Sequence, residues 1–330
     1  MAPVSSARPS TMRAMPTRRD FIKRSALVPL CVTAASHLSA QKQATVVSPV
    51  ARVGGSRLKL GLNAFSFNQL LLDGLQAKKP GLSLLDLLEF CAQHDFDAID
   101  PTGYYFPGYP DVPDDAFIGR FKRRAFQLGV DVSGTGIRND FATPDAAKRA
   151  ADVVRAKAWI EVAAKLGAPV VRLFAGAVPA GYERRWDEVA GWMADAFREC
   201  AAHAQKFGVV VGIQNHGDML KNADETIKVL TLVDSEWCGV VVDTGNMQTS
   251  DPYEDIARVA PYAVNWQVKE SPRGPDSEER TDLPRLIRIL RESGYRGYVP
   301  IETLAAHGKP YDPFAVVPQF AASVRVAMAG

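Results

Sequence analysis

The sequence predicts an α/β fold, a (β/α)8 TIM barrel, and three observations lead to it. Short apolar segments alternate with longer amphipathic segments along most of the chain. Parallel neighbours in a sheet need a crossover between them, so this alternation indicates a parallel sheet. Eight strand–helix units over about 270 residues match the usual size of such a barrel. Several amphipathic segments also end in glycine, which accepts the left-handed conformation that closes a helix.

The predicted elements follow this alternation from residue 58 onwards. The strands span residues 58–65, 98–100, 130–133, 169–174, 209–214, 239–243, 263–268 and 298–302. The helical patterns include residues 84–88, 145–166, 186–207, 223–233, 252–259 and 283–292. The glycines expected to close helices are Gly129, Gly167, Gly208 and Gly294.

The alternative to a barrel is a doubly wound open sheet. That fold often binds a nucleotide through a glycine-rich turn after its first strand. Neither G-x-G-x-x-G nor G-x-x-x-x-G-K-[ST] occurs in the sequence, so the barrel is favoured.

The net charge of the chain is concentrated at its amino-terminal end. The 330 residues carry 39 basic and 37 acidic side chains, for a formal charge of +2. Residues 1–40 hold six of the basic and one of the acidic side chains, a charge of +5, which leaves 33 against 36, or −3, for the rest. The remainder therefore gives no reason to expect nucleic acid or an anionic membrane as a partner.

Residues 1–40 have the layout of an export signal. The segment TRRDFIK at residues 17–23 precedes a mostly apolar run, residues 26–35, and then small residues. That run is shorter than the roughly 20 residues that span a bilayer. The order of residues resembles the twin-arginine motif.

We therefore expect a signal peptide at 1–40, a linker at 41–56 and the barrel at 57–330. The protein would be periplasmic or secreted, with the twin-arginine translocase as a transient partner and no stable membrane association. The sequence leaves open whether the chain forms a homo-oligomer.

Three cysteines, Cys91, Cys200 and Cys238, would remain after cleavage of the signal. Their number is odd and the chain has no C-x-x-C motif, so a disulfide framework or a cysteine zinc site is not expected. We predict buried free thiols.

Each of the last four predicted strands ends in a side chain that carries oxygen. These residues are Gln214, Asp243, Gln267 and Glu302. Side chains alternate along a strand, which directs Gln214 and Glu302 inward and gives Lys269 the same face as Gln267. Two carboxylates and two amide oxygens suit a hard divalent ion, so this set predicts a Mg²⁺ or Mn²⁺ site. The alternative is a group of polar residues that cap the barrel mouth without an ion.

Four motifs make the chain resemble the sugar phosphate isomerase/epimerase family, whose fold is the xylose-isomerase-like TIM barrel. They are VVRLFAG at residues 170–176, Asn215-His216, VDTGN at residues 242–246, and GYRGYVPIE at residues 294–302. The resemblance covers roughly residues 58–322. It implies a divalent metal held by Glu, Asp, His and Glu on strands five to eight. Asp243 and Glu302 match that set, whereas Gln214 replaces a glutamate and Gln267 replaces a histidine.

The resemblance also implies catalysis by proton removal beside a carbonyl. Epimerases of the family use two glutamates on opposite faces of the substrate, and an amide such as Gln214 is not a base near pH 7. Glu302 alone could support isomerisation on one face, or elimination from a keto-sugar or keto-glycoside. Lys269 and His216 are then candidates for general acid or for polarising an oxygen. The alternatives for them are a salt bridge at the barrel mouth for Lys269 and a hydrogen bond that orients a ligand for His216.

Substrate contacts are expected from the ends of the other strands. The candidates are Asn63, Asp100, Tyr104, Tyr105 and Arg172. The two tyrosines belong to an aromatic loop after the second strand, and sugars present C–H faces that pack on aromatic rings. The alternative for these tyrosines is a packed loop without a role in binding. Arg172 either pairs with a core carboxylate or contacts the substrate.

The leading hypothesis is therefore an exported, metal-dependent isomerase or epimerase that enolises a carbohydrate. A lyase or hydratase, and a non-catalytic sugar-binding barrel, are the alternatives. An endonuclease on the same barrel is disfavoured, because such sites bind several zinc ions through histidines and the mature chain has only four.

Overall fold

The computed structural model describes residues 48–217 and 219–330. Its strands, in chain order, are β1 (Arg57–Asn63), β2 (Ala98–Asp100), β3 (Asp131–Val132), β4 (Thr135–Gly136), β5 (Val170–Phe174), β6 (Val210–Gln214), β7 (Cys238–Asp243), β8 (Ala263–Lys269) and β9 (Arg296–Glu302). Its α-helices are α1 (Asn68–Leu75), α2 (Leu84–Gln93), α3 (Asp115–Leu128), α4 (Ala146–Leu166), α5 (Trp186–Ala204), α6 (Ala223–Val233), α7 (Pro252–Val259), α8 (Leu283–Glu292) and α9 (Pro313–Ala329). Short 3-10 helices span Ala64–Phe67, Gly103–Tyr105, Gln205–Phe207 and Ala260–Tyr262.

The strands form one parallel sheet in the order β3-β2-β1-β9-β8-β7-β6-β5-β4. The two strands at the ends of this order, β3 and β4, are consecutive in the chain, so the sheet curls into a nearly closed barrel. The helices alternate with the strands, as parallel pairing requires. The predicted TIM barrel fold is confirmed.

The predicted strand at residues 130–133 is shorter in the structure, where only β3 falls within it, and a second short strand, β4, follows it. β3 pairs with β2, whereas β4 pairs with β5. The break falls at Gly134, where a Cβ atom would lie 2.8 Å from Nδ2 of Asn265 and 2.9 Å from Oδ2 of Asp100. Because these side chains fill the barrel interior there, the backbone bends and transfers its pairing from one neighbour to the other. The barrel consequently has nine strand segments rather than eight.

Polar caps determine where most helices begin. The hydroxyl of Ser83 accepts a hydrogen bond from the backbone of Asp86, whose carboxylate accepts one from the backbone of Ser83, which forms a capping box. Side chains of the same kind cap α3, α4, α6, α7, α8 and α9: Asp114, Asp145, Asn222, Asp251, Asp282 and Asp312. At the other end, Gly129 and Gly167 adopt the left-handed conformation and close α3 and α4, as predicted.

The predicted linker is in contact with the barrel over its second half. The backbone of Val50 donates to the carbonyl of Pro261, and the guanidinium of Arg52 bonds to the carbonyls of Pro261 and Ala263. Ser56 bonds to the carbonyl of Tyr295. These carbonyls lie at the starts of β8 and β9, so residues 50–56 cover the amino-terminal end of the barrel. The predicted signal peptide and residues 41–47 lie outside the described residues.

The three cysteines of the described residues, Cys91, Cys200 and Cys238, are buried free thiols, as predicted. Burial raises the pKa of each thiol, to about 12 for Cys200, which makes them packing groups rather than nucleophiles. No helix in the described part of the chain combines the length and the apolar character needed to cross a membrane.

Candidate active site

A cavity of about 550 Å³ opens at the carboxyl ends of the strands. Barrel enzymes carry their chemistry at this end, where loops vary without disturbing the sheet. Nearly every strand end contributes a side chain to the lining, among them Asn63, Tyr104, Arg172, Gln214, Lys269 and Glu302.

Lys269, at the end of β8, lies between acidic side chains of the two neighbouring strands. Its Nζ donates a hydrogen bond to Oε1 of Glu302 on β9 and lies 3.4 Å from Oδ2 of Asp243 on β7. All three residues are buried, and Lys269 keeps only 7% of its surface exposed. The ammonium is therefore fixed where the two carboxylates converge. The salt bridge considered from the sequence does form, inside the cavity wall.

The amide of Gln214 on β6 completes this cluster. Its Nε2 donates to Oδ2 of Asp243 and to Oε1 of Gln267, both at 2.7 Å, whereas its Oε1 is buried without a hydrogen-bond partner. The opposite orientation of the amide would set an oxygen against the Asp243 carboxylate. Gln214 therefore acts as a hydrogen-bond donor here, a role that a glutamate at this position could not fill.

The backbone around Lys269 holds its side chain in this direction. Its N–H donates to the hydroxyl of Thr244, and its carbonyl accepts from the hydroxyl of Thr281. A Cβ atom at Gly245 would lie 2.7 Å from Cγ of Lys269, so the absence of a side chain there leaves room for the lysine stem. Two hydroxyl anchors and one glycine thus favour a single path for the side chain.

Asp243 is fixed equally firmly. Its backbone N–H and carbonyl are both bonded to the side-chain amide of Asn215, at 2.8 and 2.9 Å, and its Oδ1 accepts from the N–H of Gly245 at 3.0 Å. Asn215 therefore locks the end of β6 to the end of β7. This explains why the Asn215-His216 motif follows the strand in the sequence.

The electrostatics of the cluster shift two pKa values. Burial raises the pKa of Glu302, and the charge of Asp243 raises it further, while Lys269 acts in the opposite direction. For Lys269, burial alone lowers the pKa, but the charges of Asp243 and Glu302 and their hydrogen bonds outweigh it, so its pKa lies above the ordinary value. A lysine that stays charged beside a carboxylate of raised pKa suits proton removal at neutral pH.

The four side chains predicted as metal ligands do lie together, but their contacts do not suit a divalent ion. Gln214 directs an N–H toward Asp243 and Gln267, so it offers no ligand oxygen on that side. The Asp243 and Glu302 carboxylates already meet an ammonium. The residues therefore do not fit the Mg²⁺ or Mn²⁺ that the sequence predicts.

Arg172 on β5 faces the cavity, and no described carboxylate pairs with it. Its Nη1 donates to the carbonyl of Ile137 at 2.6 Å and its Nη2 to the hydroxyl of Tyr104 at 3.0 Å, while its buried Nε has no partner. The guanidinium carbon lies 4.0 Å from the ring centre of Phe174. Of the two roles left open by the sequence, the contact with substrate is therefore the one that this geometry favours.

Two further predicted residues lie at the cavity with clear local roles. Asn63 accepts a hydrogen bond from the N–H of Phe65 and so caps the 3-10 helix after β1. His216 lies at the exposed rim, with its ring centre 4.9 Å from that of Phe174. Both line the cavity, but His216 lies at the rim rather than in the Lys269 cluster.

Asp100 and Tyr105, predicted as substrate contacts, do not line this cavity. Oδ2 of Asp100 accepts from Nδ2 of Asn265 at 3.1 Å. Asn265 is two residues before Gln267 on the same face of β8, so this pair lies one layer deeper in the barrel. Tyr105 is buried and its hydroxyl donates to Asn68. The sequence could not separate these layers, because it identifies strand ends but not their depth.

Sequence reasoning missed several residues of the lining, among them Arg138 and Asn139, which directly follow β4. Arg138 lies over the ring of Tyr104, with 4.9 Å between the guanidinium carbon and the ring centre. The amide of Asn139 bonds to both the N–H and the carbonyl of Phe174, at 2.8 and 2.7 Å. That side chain thus continues the pairing with β5 after β4 has ended. The only sequence signal was the run Arg138-Asn139-Asp140 directly after the strand.

A second cavity, of about 750 Å³, adjoins the first and is largely apolar. Phe65, Pro275 and Leu304 line both cavities. Its own wall includes Phe67, Leu70, Tyr311 and Phe314. The two spaces are therefore neighbours across a shared apolar rim.

A family profile described as the xylose isomerase-like TIM barrel matches residues 88–320, which is well over half of the chain. The chain belongs to that family. The family assignment agrees with the nearly closed parallel barrel and with the position of the cavity.

Solved structures with the same fold include several sugar epimerases. A D-psicose 3-epimerase from Clostridium cellulolyticum H10, solved with D-tagatose, has a TM-score of 0.65 at 18% identity and covers 82% of this chain and 99% of its own. An L-ribulose 3-epimerase has a TM-score of 0.64 at 19% identity, covering 82% and 95%. The 3-keto-D-glucoside 4-epimerase of E. coli has a TM-score of 0.64 at 14% identity, covering 82% and 99%. At such identities the likeness establishes the fold alone. No curated protein matches the sequence significantly.

Proposed function

We propose that the protein is a sugar isomerase or epimerase-like enzyme that enolises a carbohydrate at the carbon beside its carbonyl, with Glu302 as the base. The observation that carries the proposal is the buried Glu302 carboxylate on the cavity wall, in contact with the Lys269 ammonium. Solved structures of the same fold that act on ketoses and on a keto-glucoside support a carbohydrate substrate.

The reaction can be followed from the residues present. The Glu302 carboxylate takes the proton from carbon, the electrons of that bond form a carbon–carbon double bond, and the carbonyl oxygen becomes negative. The charge of Lys269 stabilises that oxygen. Glu302 then returns the proton to the former carbonyl carbon, while the hydroxyl proton moves between the two oxygens. The outcome is an aldose–ketose isomerisation on one face.

Epimerisation needs a second base on the opposite face, and Gln214 does not provide one. An amide cannot accept a proton from carbon near pH 7, and Nε2 of Gln214 is engaged with Asp243 and Gln267. This observation keeps a second candidate function open, a lyase that eliminates water or an aglycone from a keto-sugar or keto-glycoside. In that reaction Glu302 takes the same proton and the electrons expel a neighbouring oxygen.

The adjoining apolar cavity bears on the size of the substrate. A free monosaccharide has C–H faces but no extended apolar group that would cover a wall of this size. A glycoside whose sugar occupies the first cavity could extend an apolar aglycone across Phe65 and Leu304 into the second. A glycoside is therefore the substrate class to test beside free sugars.

The test of the proposal is a screen in D₂O. Free aldoses, ketoses, 3-keto-glucosides and their aryl glycosides are incubated with the protein, and mass spectrometry follows each. Isomerisation incorporates deuterium and otherwise conserves mass, whereas elimination loses water or an aglycone and creates an enone that absorbs in the ultraviolet.

Glu302→Gln should lower the rate by about 10²–10⁴-fold, which is the range for loss of a general base. Glu292→Gln is the matched control, because Glu292 is exposed on α8 and does not line the cavity. Full activity of Glu302→Gln, or no turnover of any sugar, would overturn the proposal.

We also propose that the chain is exported by the twin-arginine route, on the strength of the TRRDFIK segment at residues 17–23. Cell fractionation should find the protein outside the cytoplasm, and the double change Arg18→Lys and Arg19→Lys should retain it inside. Export that persists in the double variant would contradict this route.

A further inference from the structure

We infer that the ammonium of Lys269 is the resident cation of this site and works in place of a divalent metal. The inference concerns the charge of the site, and only its catalytic consequence rests on the proposed function. The donor set that the family resemblance implies differs from this chain at Gln214 and Gln267, and the contacts of these two residues explain why.

The first argument is position. Asp243 and Glu302 come from the two strands that flank β8, and Nζ of Lys269 reaches both carboxylates. A cation coordinated by these two residues would have to occupy the space between them. That space is held by a positive charge that belongs to the chain.

The second argument is the direction of the hydrogen bonds. Oδ2 of Asp243 accepts from Gln214 and faces Lys269, and Oε1 of Gln267 accepts from Gln214. The Asp243 and Gln267 oxygens are thus already directed at N–H groups, whereas Oε1 of Gln214 has no hydrogen-bond partner in the part of the chain that the structure describes. A glutamate at position 214 would present an oxygen to the Asp243 carboxylate and would need a cation between them, whereas the amide of Gln214 donates a hydrogen bond to that carboxylate directly.

The third argument is charge. The two carboxylates and the ammonium sum to −1, and the cavity also holds Arg172, whose guanidinium has no carboxylate partner among the described residues. A divalent ion would lie beside the Lys269 ammonium and near the Arg172 guanidinium. It would also have two carboxylates, Asp243 and Glu302, where the set implied by the family resemblance has three. Repulsion in a buried site disfavours that arrangement.

The fourth argument is that the residues around Lys269 hold its backbone in place and leave room for its side chain. Thr244 and Thr281 anchor the backbone of Lys269, and Gly245 leaves the space that its stem crosses. An alanine in that place would meet Cγ of Lys269 at 2.7 Å. The surrounding residues therefore accommodate Lys269 in the direction that it takes.

The consequence for the reaction is that a fixed ammonium supplies the positive charge at the developing oxyanion. Such preorganised charges act without rearrangement during the reaction. Lys269 would then contact the reacting oxygen, which makes it a catalytic residue, and the rate should not depend on added metal.

The experiment starts with the unmodified protein, purified without a metal-affinity step and without chelator. Elemental analysis should find far less than one equivalent of Mn, Fe, Co, Ni, Zn or Mg per chain. Millimolar MnCl₂ or MgCl₂ should leave the Tm unchanged. About one equivalent of metal, or a rise in Tm on adding Mn²⁺ that disappears in Asp243→Asn, would overturn the inference. Neither measurement needs a substrate, so its failure is distinguishable from failure of the proposed function.

A triple variant designed to bind a metal tests whether Lys269 occupies the place of the ion. Gln214→Glu, Gln267→His and Lys269→Ala together remove the internal cation and supply a carboxylate and an imidazole. This triple variant should bind Mn²⁺ and gain Tm on its addition, whereas Lys148→Met, at an exposed position on α4, should behave like the unmodified protein. A triple variant that folds and gains no metal affinity would contradict the inference; if it does not fold, the measurements on the unmodified protein still decide.

Discussion

Two buried carboxylates, Asp100 and Glu302, lie in neighbouring layers of the barrel interior and have different partners. Asp100 ends β2 and accepts a hydrogen bond from the neutral amide of Asn265, and burial raises its pKa to about 6. Glu302 ends β9 and meets the ammonium of Lys269 on the cavity wall. The difference teaches that two strand-end carboxylates can differ in their contacts and in their access to the cavity, which their positions in the chain do not reveal.

The comparison also separates two uses of buried charge. For Asp100, in the deeper layer, burial outweighs both the charge of Arg172 and the hydrogen bond from Asn265, so its ionisation works against the folded state. In the upper layer, the charges of Asp243 and Glu302 keep Lys269 protonated, and the ion pair is held at the cavity. The predictions below change one partner at a time.

The largest effect on stability is expected from Lys269→Met, which keeps the length of the side chain and removes its charge. Two buried carboxylates then lose their cation, and breaking a buried pair in this way costs about 3–5 kcal/mol. Urea unfolding should therefore detect a loss of that size. Lys148→Met, the exposed control, should leave the free energy of unfolding nearly unchanged. Equal stability of the two variants would mean that the ammonium contributes nothing to the upper layer.

A smaller effect of opposite sign is expected from Asp100→Asn. The folded pKa of Asp100 is about 6 against 3.8 for the free side chain, so the folded state is penalised above pH 6 and relieved as the pH falls toward 4. A change of this size in pKa corresponds to about 3 kcal/mol.

The Asp100→Asn substitution should therefore raise the free energy of unfolding at pH 7–8, with a gain that shrinks through pH 6 and vanishes near pH 4. Urea unfolding over this range measures it. A gain that stays constant with pH would show that the titration of Asp100 is not its source.

The smallest effect is expected from Gly245→Ala, which leaves every charge in place. The added methyl would meet the Lys269 stem, which must shift by several tenths of an ångström or more. The turnover rate should fall by roughly tenfold, since misplacement of a catalytic group by about 1 Å can cost 10²-fold. The Tm should fall by less than in Lys269→Met, because every charge keeps its partner, although the methyl also approaches the carbonyl oxygen of Ser271 to 3.1 Å. Gly119→Ala, in α3 where nothing lies within 4 Å of an added Cβ, is the matched control.

The helices and strands that position the site were well predicted from the sequence, because they follow from the periodicity of apolar residues. The predicted helices at residues 223–233, 252–259 and 283–292 match α6, α7 and α8 in both bounds. The inward direction of Gln214 and Glu302 followed from alternation along a strand, and both line the cavity.

The remainder depends on side-chain paths that periodicity does not encode. Lys269 was expected to share a face with Gln267, but its reach to Asp243 depends on the free space at Gly245. The four predicted metal ligands do lie together, but the sequence does not show that the amide of Gln214 directs its N–H groups, rather than its oxygen, at Asp243 and Gln267. The break at Gly134 arises from the interior packing of Asn265 and Asp100, which come from two distant parts of the chain.

The covalent attachment of the cation has a consequence for how the site is filled. A dissociable ion occupies its site according to its concentration and to competition from other ions, and a chelator can remove it. Lys269 arrives with the polypeptide, so every folded copy carries the charge in a fixed ratio of one to one. Such a site would neither require loading before use nor exchange its ion for another in a compartment whose metal content varies.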